Sequence, residues 1–553
     1  MSIRLTRRAA LSATAGTLAL PVPALARQIS TATPDDAALV EQVDAYVRRA
    51  MAGFPDQPAV SIGLVKDGKT VMARGYGVRE IGGAPADEDT LFAIASNTKA
   101  VTAAALAILV DEGKVKWDAP VQTYLPDFRL SKPELSGMAT VRDTLSHRIG
   151  FGLGAGDLLF WPNSDRTREQ VMAAIPFVPI EDQFRARYHY CNLMFVVAGQ
   201  IVAAASGMAW EDFVQTRILD RLGMTETVPL AKLADAAKSA LPHGRVGPPL
   251  RYQGAMTVLD RSIAAVWNWD NAGAAGGICT TPGDWAKWIA CQLAGGALPD
   301  GSRLFSEAAG REMWRPNIII SSSAGPTGEL PGRAIASTYA MGWQVQDYRG
   351  ERMITHGGGA PGYISGTVLI PGRNAGFSVF TNAEESLLLR ALRSGIADIV
   401  MGKAGFDWVA DGRKLLAESN AKSIAAAAEI DAKQAAGAAP GLPLSAYAGT
   451  WRDPWYGDIT VEQKTEGRGR NRKTGLWLAF THTPSLQGWL EPYDGETFRT
   501  RFIDRREEDA FVTFAIAGGM PVTATLKGVS PDIDFSYDYQ DLRLTRVLAG
   551  VAA

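Results

Sequence analysis

Two pairs of apolar runs, each folded at a polar four-residue break, bracket the middle of this chain. Ser61-Ile62-Gly63-Leu64-Val65 and Thr70-Val71-Met72-Ala73-Arg74 flank Lys66-Asp67-Gly68-Lys69. Gly366-Thr367-Val368-Leu369-Ile370 and Gly376-Phe377-Ser378-Val379-Phe380 flank Pro371-Gly372-Arg373-Asn374. β-Branched and aromatic runs joined by short turn-forming stretches predict hairpins. Residues 98–113 are rich in Ala, Leu and Val, lack Pro and end at Gly113. That pattern predicts a helix apolar on nearly every side, and such a helix is buried. Leu387 to Val400 predicts another helix. Strands at both ends with helices between them fit an α+β fold, an antiparallel sheet flanked by helices.

The texture changes after residue 402. Lys414 to Ala436 is Ala-rich, polar and helix-forming, and residues 403–442 are predicted to be a helical connector. From 443 to 553 short strand-like runs alternate with turn residues and many aromatics, among them Trp451, Trp455, Tyr456, Trp477, Phe480, Trp489, Phe498 and Phe502. This pattern predicts a separate antiparallel, barrel-like β domain. The remaining globular part, residues 37–402, forms the larger unit.

The first 26 residues read as an address. Arg4, Arg7 and Arg8 are followed by an uncharged, mostly apolar stretch and by Ala24-Leu25-Ala26, a small-x-small cleavage site. Thr6-Arg7-Arg8-Ala9-Ala10-Leu11 is twin-arginine-like. The expectation is a chain exported to the periplasm or secreted, with no transmembrane anchor once the leader is cut. The chain of 553 residues is 46% hydrophobic and 21% charged, with a formal net charge of -2. That is ordinary globular composition, and it lacks the basic excess that nucleic-acid binding calls for. Cys191, Cys279 and Cys291 are too few and too odd in number for a disulfide framework. One pair can form, but the sequence does not decide it.

The chemistry starts at Ser96-Asn97-Thr98-Lys99. Ser-x-x-Lys at the start of a helix puts hydroxyl and amine on one face, at the end where free N–H groups favour a developing oxyanion. Serine needs a base to become a nucleophile, and lysine serves as one only when burial or nearby cations lower its pKa. Ser419-Asn420-Ala421-Lys422 repeats the spacing in the connector and is read as chance. Tyr190-Cys191-Asn192 can add a phenol that shares the proton with Lys99 and an amide that holds lysine and substrate carbonyl. His356-Gly357-Gly358 follows the strand-like Arg352-Met353-Ile354-Thr355. Its glycines permit close backbone approach, and Gly359 can supply a second N–H to an oxyanion hole opposite that of Ser96. His147 is read as structural, His189 as facing away from Tyr190, and Trp267 and Trp269 as pocket lining or packing in equal measure. There is no metal-ligand spacing and no phosphate-binding glycine loop.

Ser-x-x-Lys, Tyr-x-Asn and His-x-Gly in this order resemble the serine β-lactamase and penicillin-binding superfamily, more closely its class C-like branch of S12 serine hydrolases. Asp89 to Lys99, Gly113 to Val121, Val141 to His147, Leu222-Gly223-Met224-Thr225 and Gly276 to Thr281 extend the likeness over roughly residues 40–400. The resemblance implies a β-lactamase/transpeptidase-like fold and a cofactor-free, metal-free acyl-enzyme reaction on a small-molecule or peptide substrate. Ser96, Lys99 and Tyr190 would be catalytic. Asn192, His356, Gly358 and Gly359 would hold oxyanion and substrate. The third motif of the family is usually Lys-Thr-Gly. The literal Lys473-Thr474-Gly475 lies in the C-terminal domain after a charged turn and is rejected in favour of His356. A neutral histidine in place of a fixed cation shifts the expectation from penicillin chemistry to an esterase or peptidase, including D-amino-acid substrates. The alternatives are a β-lactamase or D-Ala-D-Ala carboxypeptidase, and a non-catalytic penicillin-type sensor. Tyr447 to Trp451, Gly457 to Val461 and Asp494 to Phe498 resemble a lipocalin-like module. Such modules cover active sites or build oligomers, so a homo-oligomer through this domain is also an expectation.

Overall fold

A computed structural model describes residues 36–259, 265–322, 330–468 and 472–548 and, within these, leaves the side chains of 265–268 aside. The leader and the Trp267 side chain therefore lie outside the described residues. Eight strands make one antiparallel sheet: β1 (Ala59–Lys66), β2 (Lys69–Gly77), β3 (Ile318–Ser322), β4 (Ala336–Tyr339), β5 (Gln344–Tyr348), β6 (Glu351–Ala360), β7 (Tyr363–Ile370) and β8 (Ala375–Thr381). Their order is β2-β1-β8-β7-β6-β5-β4-β3. Both predicted hairpins are present, β1 with β2 and β7 with β8, and the two become neighbours through β1 and β8. Every residue of β1 is buried, as suits a strand covered on both faces.

Alternation along the strands sorts the side chains to two cores. Val60, Ile62, Leu64, Val368, Ile370, Phe377 and Val379 meet the helices α1 (Asp36–Gly53) and α5 (Ser386–Val400). On the opposite face Leu369 and Phe380 join the helical half of the domain, where α2 (Thr98–Asp111), α3 (Leu193–Ser206) and α4 (Pro282–Leu293) lie. α2 is buried from Thr98 to Leu109, in keeping with its unbroken apolar sequence. Phe380 sits between layers, its ring 6.3 Å from Phe92 and 6.4 Å from Trp285.

The connector helix α6 runs from Trp408 to Ala436, six residues earlier than its polar Ala-rich part foretold, because Asp407 caps its first N–H groups. It is tied to α5 by Arg390–Asp411 and to the C-terminal domain by Arg499–Asp431, both at 2.6–2.7 Å. The C-terminal domain is a closed eight-stranded antiparallel barrel from Gly449–Asp453 to Arg543–Arg546. Tyr447, Trp451, Phe498 and Phe514 fill its interior with rings about 5 Å apart. All three cysteines are free and buried.

Phe380→Ala removes the ring that joins the sheet, Phe92 and α4. It is expected to lower unfolding free energy by about 3–5 kcal/mol, seen as a lower urea midpoint at unchanged m-value.

Candidate active site

Ser96 lies in a single helical turn, Ala95–Asn97, that runs straight into α2. The residue before it, Ala95, is held at φ 45°, a left-handed conformation that a non-glycine residue adopts only at about 1–3 kcal/mol. Strain of this kind persists where packing imposes it, and Ala95 is fully buried. The turn projects Ser96 into a cavity of about 280 Å³ that is also lined by Tyr190, Asn192, His356 and Gly359. Three short motifs far apart in sequence thus share one cleft.

Lys99 lies beneath the serine, with no surface exposed. Its Nζ is 2.9 Å from Ser96 Oγ, 2.7 Å from Asn192 Oδ1 and 2.8 Å from the Ala275 carbonyl. Asn192 and Ala275 offer only acceptors here, so two N–H bonds are committed to them. The remaining tetrahedral position points at Ser96 Oγ. On a neutral amine that position is the lone pair, and the Ser96 hydroxyl donates to it. Burial disfavours the ammonium and brings the Lys99 pKa down to about 7. The Tyr190 phenol is hydrogen-bonded to Ser96, and burial raises its pKa well above the ordinary value. It is therefore a protonated phenol at neutral pH, placed to pass a proton.

His356 stands on β6 with Nδ1 2.6 Å from the Gly357 carbonyl and Nε2 2.8 Å from the Tyr339 hydroxyl. A carbonyl only accepts, so Nδ1 carries the proton and Tyr339 donates to Nε2. The ring is neutral, and burial with Lys99 nearby brings its pKa down to about 3. The glycines that follow are strand residues and not a turn. β5 pairs with β6 only as far as Thr355, and β7 pairs with it through Ala360. A Cβ on Gly358 would lie 2.2 Å from the Ile94 carbonyl and 3.0 Å from Ser96 N, so only glycine lets β6 approach the Ser96 turn. Gly359 is open to the cavity, with nothing near its Cβ position.

The other residues singled out by sequence separate cleanly. His147 is buried at φ 53°, accepts the Cys191 N–H at Nδ1 and stacks 4.2 Å from the Tyr190 ring, so it braces the tyrosine. His189 turns to Asp182 at 3.0 Å. Trp269 lines the cavity against Trp161. Lys473 pairs with Glu491 on the barrel surface, and Ser419 to Lys422 form an exposed face of α6. Among the described residues no group of His, Cys, Asp and Glu is arranged to hold a metal ion.

Sequence reasoning missed the far wall. Asp157 is fully buried and accepts from Asn192 Nδ2 at 2.8 Å. Asp534, Phe535 and Ser536, from the segment after the seventh barrel strand, line the same cavity. A signal for both was available: Asp157 is the lone charge in Gly156-Asp157-Leu158-Leu159-Phe160-Trp161, and acids alternate with aromatics from Asp532 to Asp541.

The beta-lactamase family profile matches residues 44–399. The chain belongs to the beta-lactamase family. A second profile, a domain of unknown function (DUF3471), matches residues 433–546. An unguisins hydrolase of Aspergillus campestris is 28% identical, covering 73% of this chain and 74% of the relative. The D-alanyl-D-alanine-carboxypeptidase/endopeptidase AmpH of Escherichia coli is 24% identical over 62% of this chain and 84% of its own. The octameric penicillin-binding protein homologue from Pyrococcus abyssi has the same fold at TM-score 0.53 and 19% identity, covering 92% of this chain and all of that one. In this beta-lactamase-family member the antiparallel sheet and the helices that flank it take the places the resemblance implied.

Gly358→Ala forces β6 away from the Ser96 turn without removing any side chain from the site. An expected loss of about 100-fold in kcat/KM, with the far-UV spectrum unchanged, would show that this approach sets the geometry. Wild-type activity in the variant would refute it.

Proposed function

We propose that this protein is a serine hydrolase that cleaves ester or amide bonds through an acyl-enzyme on Ser96. The observation that carries the proposal is the Ser96 Oγ–Lys99 Nζ contact at 2.9 Å around a fully buried lysine whose pKa falls to about 7. A base near the operating pH is what general-base catalysis requires.

In this mechanism the Ser96 proton moves to Lys99 Nζ as Oγ bonds to the substrate carbonyl carbon. The carbonyl oxygen becomes an oxyanion held by the N–H groups of Ser96 and Gly359. Tyr190, hydrogen-bonded to Ser96, hands a proton to the leaving alcohol or amine and recovers it from Lys99. Water then attacks the ester on Ser96, with Lys99 and Tyr190 again taking its proton, and releases the acid. No step needs a metal or cofactor.

The cavity also bears on substrate. Phe160, Trp161, Tyr188, Trp269, Tyr339 and Phe535 give it aromatic walls, and no Lys or Arg is among its described lining residues. His356 is neutral, and Asp534, the carboxyl group in the lining, is shifted by burial toward the neutral acid. A β-lactam or a D-Ala-D-Ala terminus presents a carboxylate that meets no cation there. Neutral esters and internal amides fit better, and internal D-amino-acid peptide bonds belong to this group. The likeness to the carboxypeptidase/endopeptidase AmpH is in keeping with amide-bond cleavage. The arginine-bearing leader supports a site of action outside the cytoplasm.

Two measurements test the proposal. A fluorophosphonate should add to Ser96 in intact-protein mass spectra, and Ser96→Ala should lose the adduct and about 1,000-fold or more of ester and amide hydrolysis. Retained turnover in that variant would end the serine-hydrolase proposal. The active form has Lys99 unprotonated, so kcat/KM should rise with pH through about 7 and be about tenfold lower at pH 6 than at pH 8. His356 stays neutral over that range and contributes no limb of its own. A profile that falls across the same interval would contradict Lys99 as base.

A further inference from the structure

The amide of Asn192 has two ends, and both are engaged. Its Oδ1 accepts from Lys99 at 2.7 Å, and its Nδ2 donates to Asp157 Oδ2 at 2.8 Å. The second contact forbids the flipped amide, which would turn N–H groups toward the lysine. Asp157 Oδ2 accepts a further hydrogen bond, 2.8 Å from Ser536 Oγ. Ser536 belongs to the C-terminal domain, in a turn closed by its own N–H donating to Asp534 Oδ1 at 2.9 Å. Asp538 from the same segment takes the Gly156 N–H at 2.6 Å and so anchors the backbone beside Asp157. An unbroken line of hydrogen bonds thus leads from the barrel to the catalytic amine.

We infer that Asp157 and Ser536 are positioning residues for the reaction: the barrel segment, through Ser536 and Asp157, locks Asn192 in the orientation that lets Lys99 act as a base. The inference rests on the serine-hydrolase proposal and extends it to a second domain. The line also carries charge. Burial raises the Asp157 pKa to about 7, opposed by the Ser536 and Asn192 hydrogen bonds and by Lys99. Asp157 in turn favours the Lys99 ammonium. The other titratable groups facing the pair are Tyr190 and Cys191, which burial holds protonated, and Asp534 and Asp538, which burial shifts toward the neutral acid. His147 and His356 face Lys99 as neutral rings.

The signs follow. Removing the Asp157 charge takes away stabilisation of the ammonium, so Lys99 becomes an unprotonated base at lower pH. Removing the Ser536 hydroxyl weakens the hold on the Asp157 carboxylate and acts in the same direction, less strongly. The test uses the full chain and pH profiles of kcat/KM for a chromogenic ester, with thermal midpoints alongside. In Asp157→Asn the acid limb should move down by about one unit, a tenfold gain relative to plateau well below the midpoint. Ser536→Ala should move it the same way by a fraction of that, and Ser536→Thr, which keeps the hydroxyl, should restore the wild-type limb. Reduced kcat with an unmoved limb in both Asp157→Asn and Ser536→Ala would mean that the contacts are merely structural, and an upward shift would reverse the inferred sign. Should Asp157→Asn fail to fold, the Ser536 pair decides alone. Hydrolysis that survives Ser96→Ala would remove the underlying proposal, whereas an unmoved limb in a Ser96-dependent enzyme overturns only the link to the barrel.

Discussion

Taking a lysine ammonium out of water carries a penalty of several kcal/mol unless a charge partner compensates it. Lys99 is fully buried, and the oxygens in contact with it are a hydroxyl, an amide and a backbone carbonyl, none of them a carboxylate. The penalty falls on the charged form, so the amine gives up its proton near neutral pH. Much of the architecture around it serves that end. The lysine stands in the first turn of the buried α2 with the Tyr190 and Phe195 rings 4.9 and 5.3 Å from its amine, the Asn192 amide just before α3 supplies one acceptor, and Ala275, from the short Gly273–Gly276 helix, supplies another. The strained Ala95 turns the serine back over the amine. A shift in any one of these segments would admit water or break the tetrahedral arrangement.

What could be read from sequence follows from how local each feature is. The two hairpins, α2 and α5 rest on periodicity within a few turns of chain, and they appear where the pattern placed them. Ser96 and Lys99 are one helical turn apart, and Tyr190 and Asn192 are two residues apart, so each pair carries its geometry within a motif. The link between those pairs was reached through family resemblance and not through spacing. Asp157 shows where local reasoning stops. Its partner Ser536 lies 379 positions away in another domain, and the local signal at each residue says nothing of the other. The His-Gly-Gly-Gly stretch shows a second limit. Glycines weaken a strand on propensity alone, yet pairing with β7 holds them extended, with Gly358 passing within reach of Ser96.

The barrel contributes to the site from its rim. Its interior is packed with tryptophan, tyrosine and phenylalanine rings, so its own core resembles that of any small closed barrel. The loop between its last two strands instead leans into the catalytic domain, bringing Phe535 to 5.7 Å from the Tyr190 ring and Tyr537 to 6.5 Å from Trp161. Glu507 and Glu508 are buried nearby, with pKa values raised to about 7 and about 8. An interface that buries carboxyl groups with so few cations is stable when those groups keep their protons or find donors. Arg251, paired with Glu384 at 2.6 Å, is the cation in this stretch whose field reaches both Glu508 and Asp534.

The same economy of charge explains the third motif. A lysine at position 356 would place a second buried ammonium close to Lys99, and each would depress the other. The histidine avoids that conflict because its two nitrogens are both occupied, one by a carbonyl and one by a tyrosine hydroxyl, which fixes a neutral tautomer. The resting cavity then holds an uncharged amine, a protonated phenol and an uncharged imidazole. In the proposed reaction charge develops there only when Ser96 attacks, toward the N–H groups assigned to Ser96 and Gly359. A site that is neutral at rest and polar only in the transition state has no need of a charged handle on its substrate.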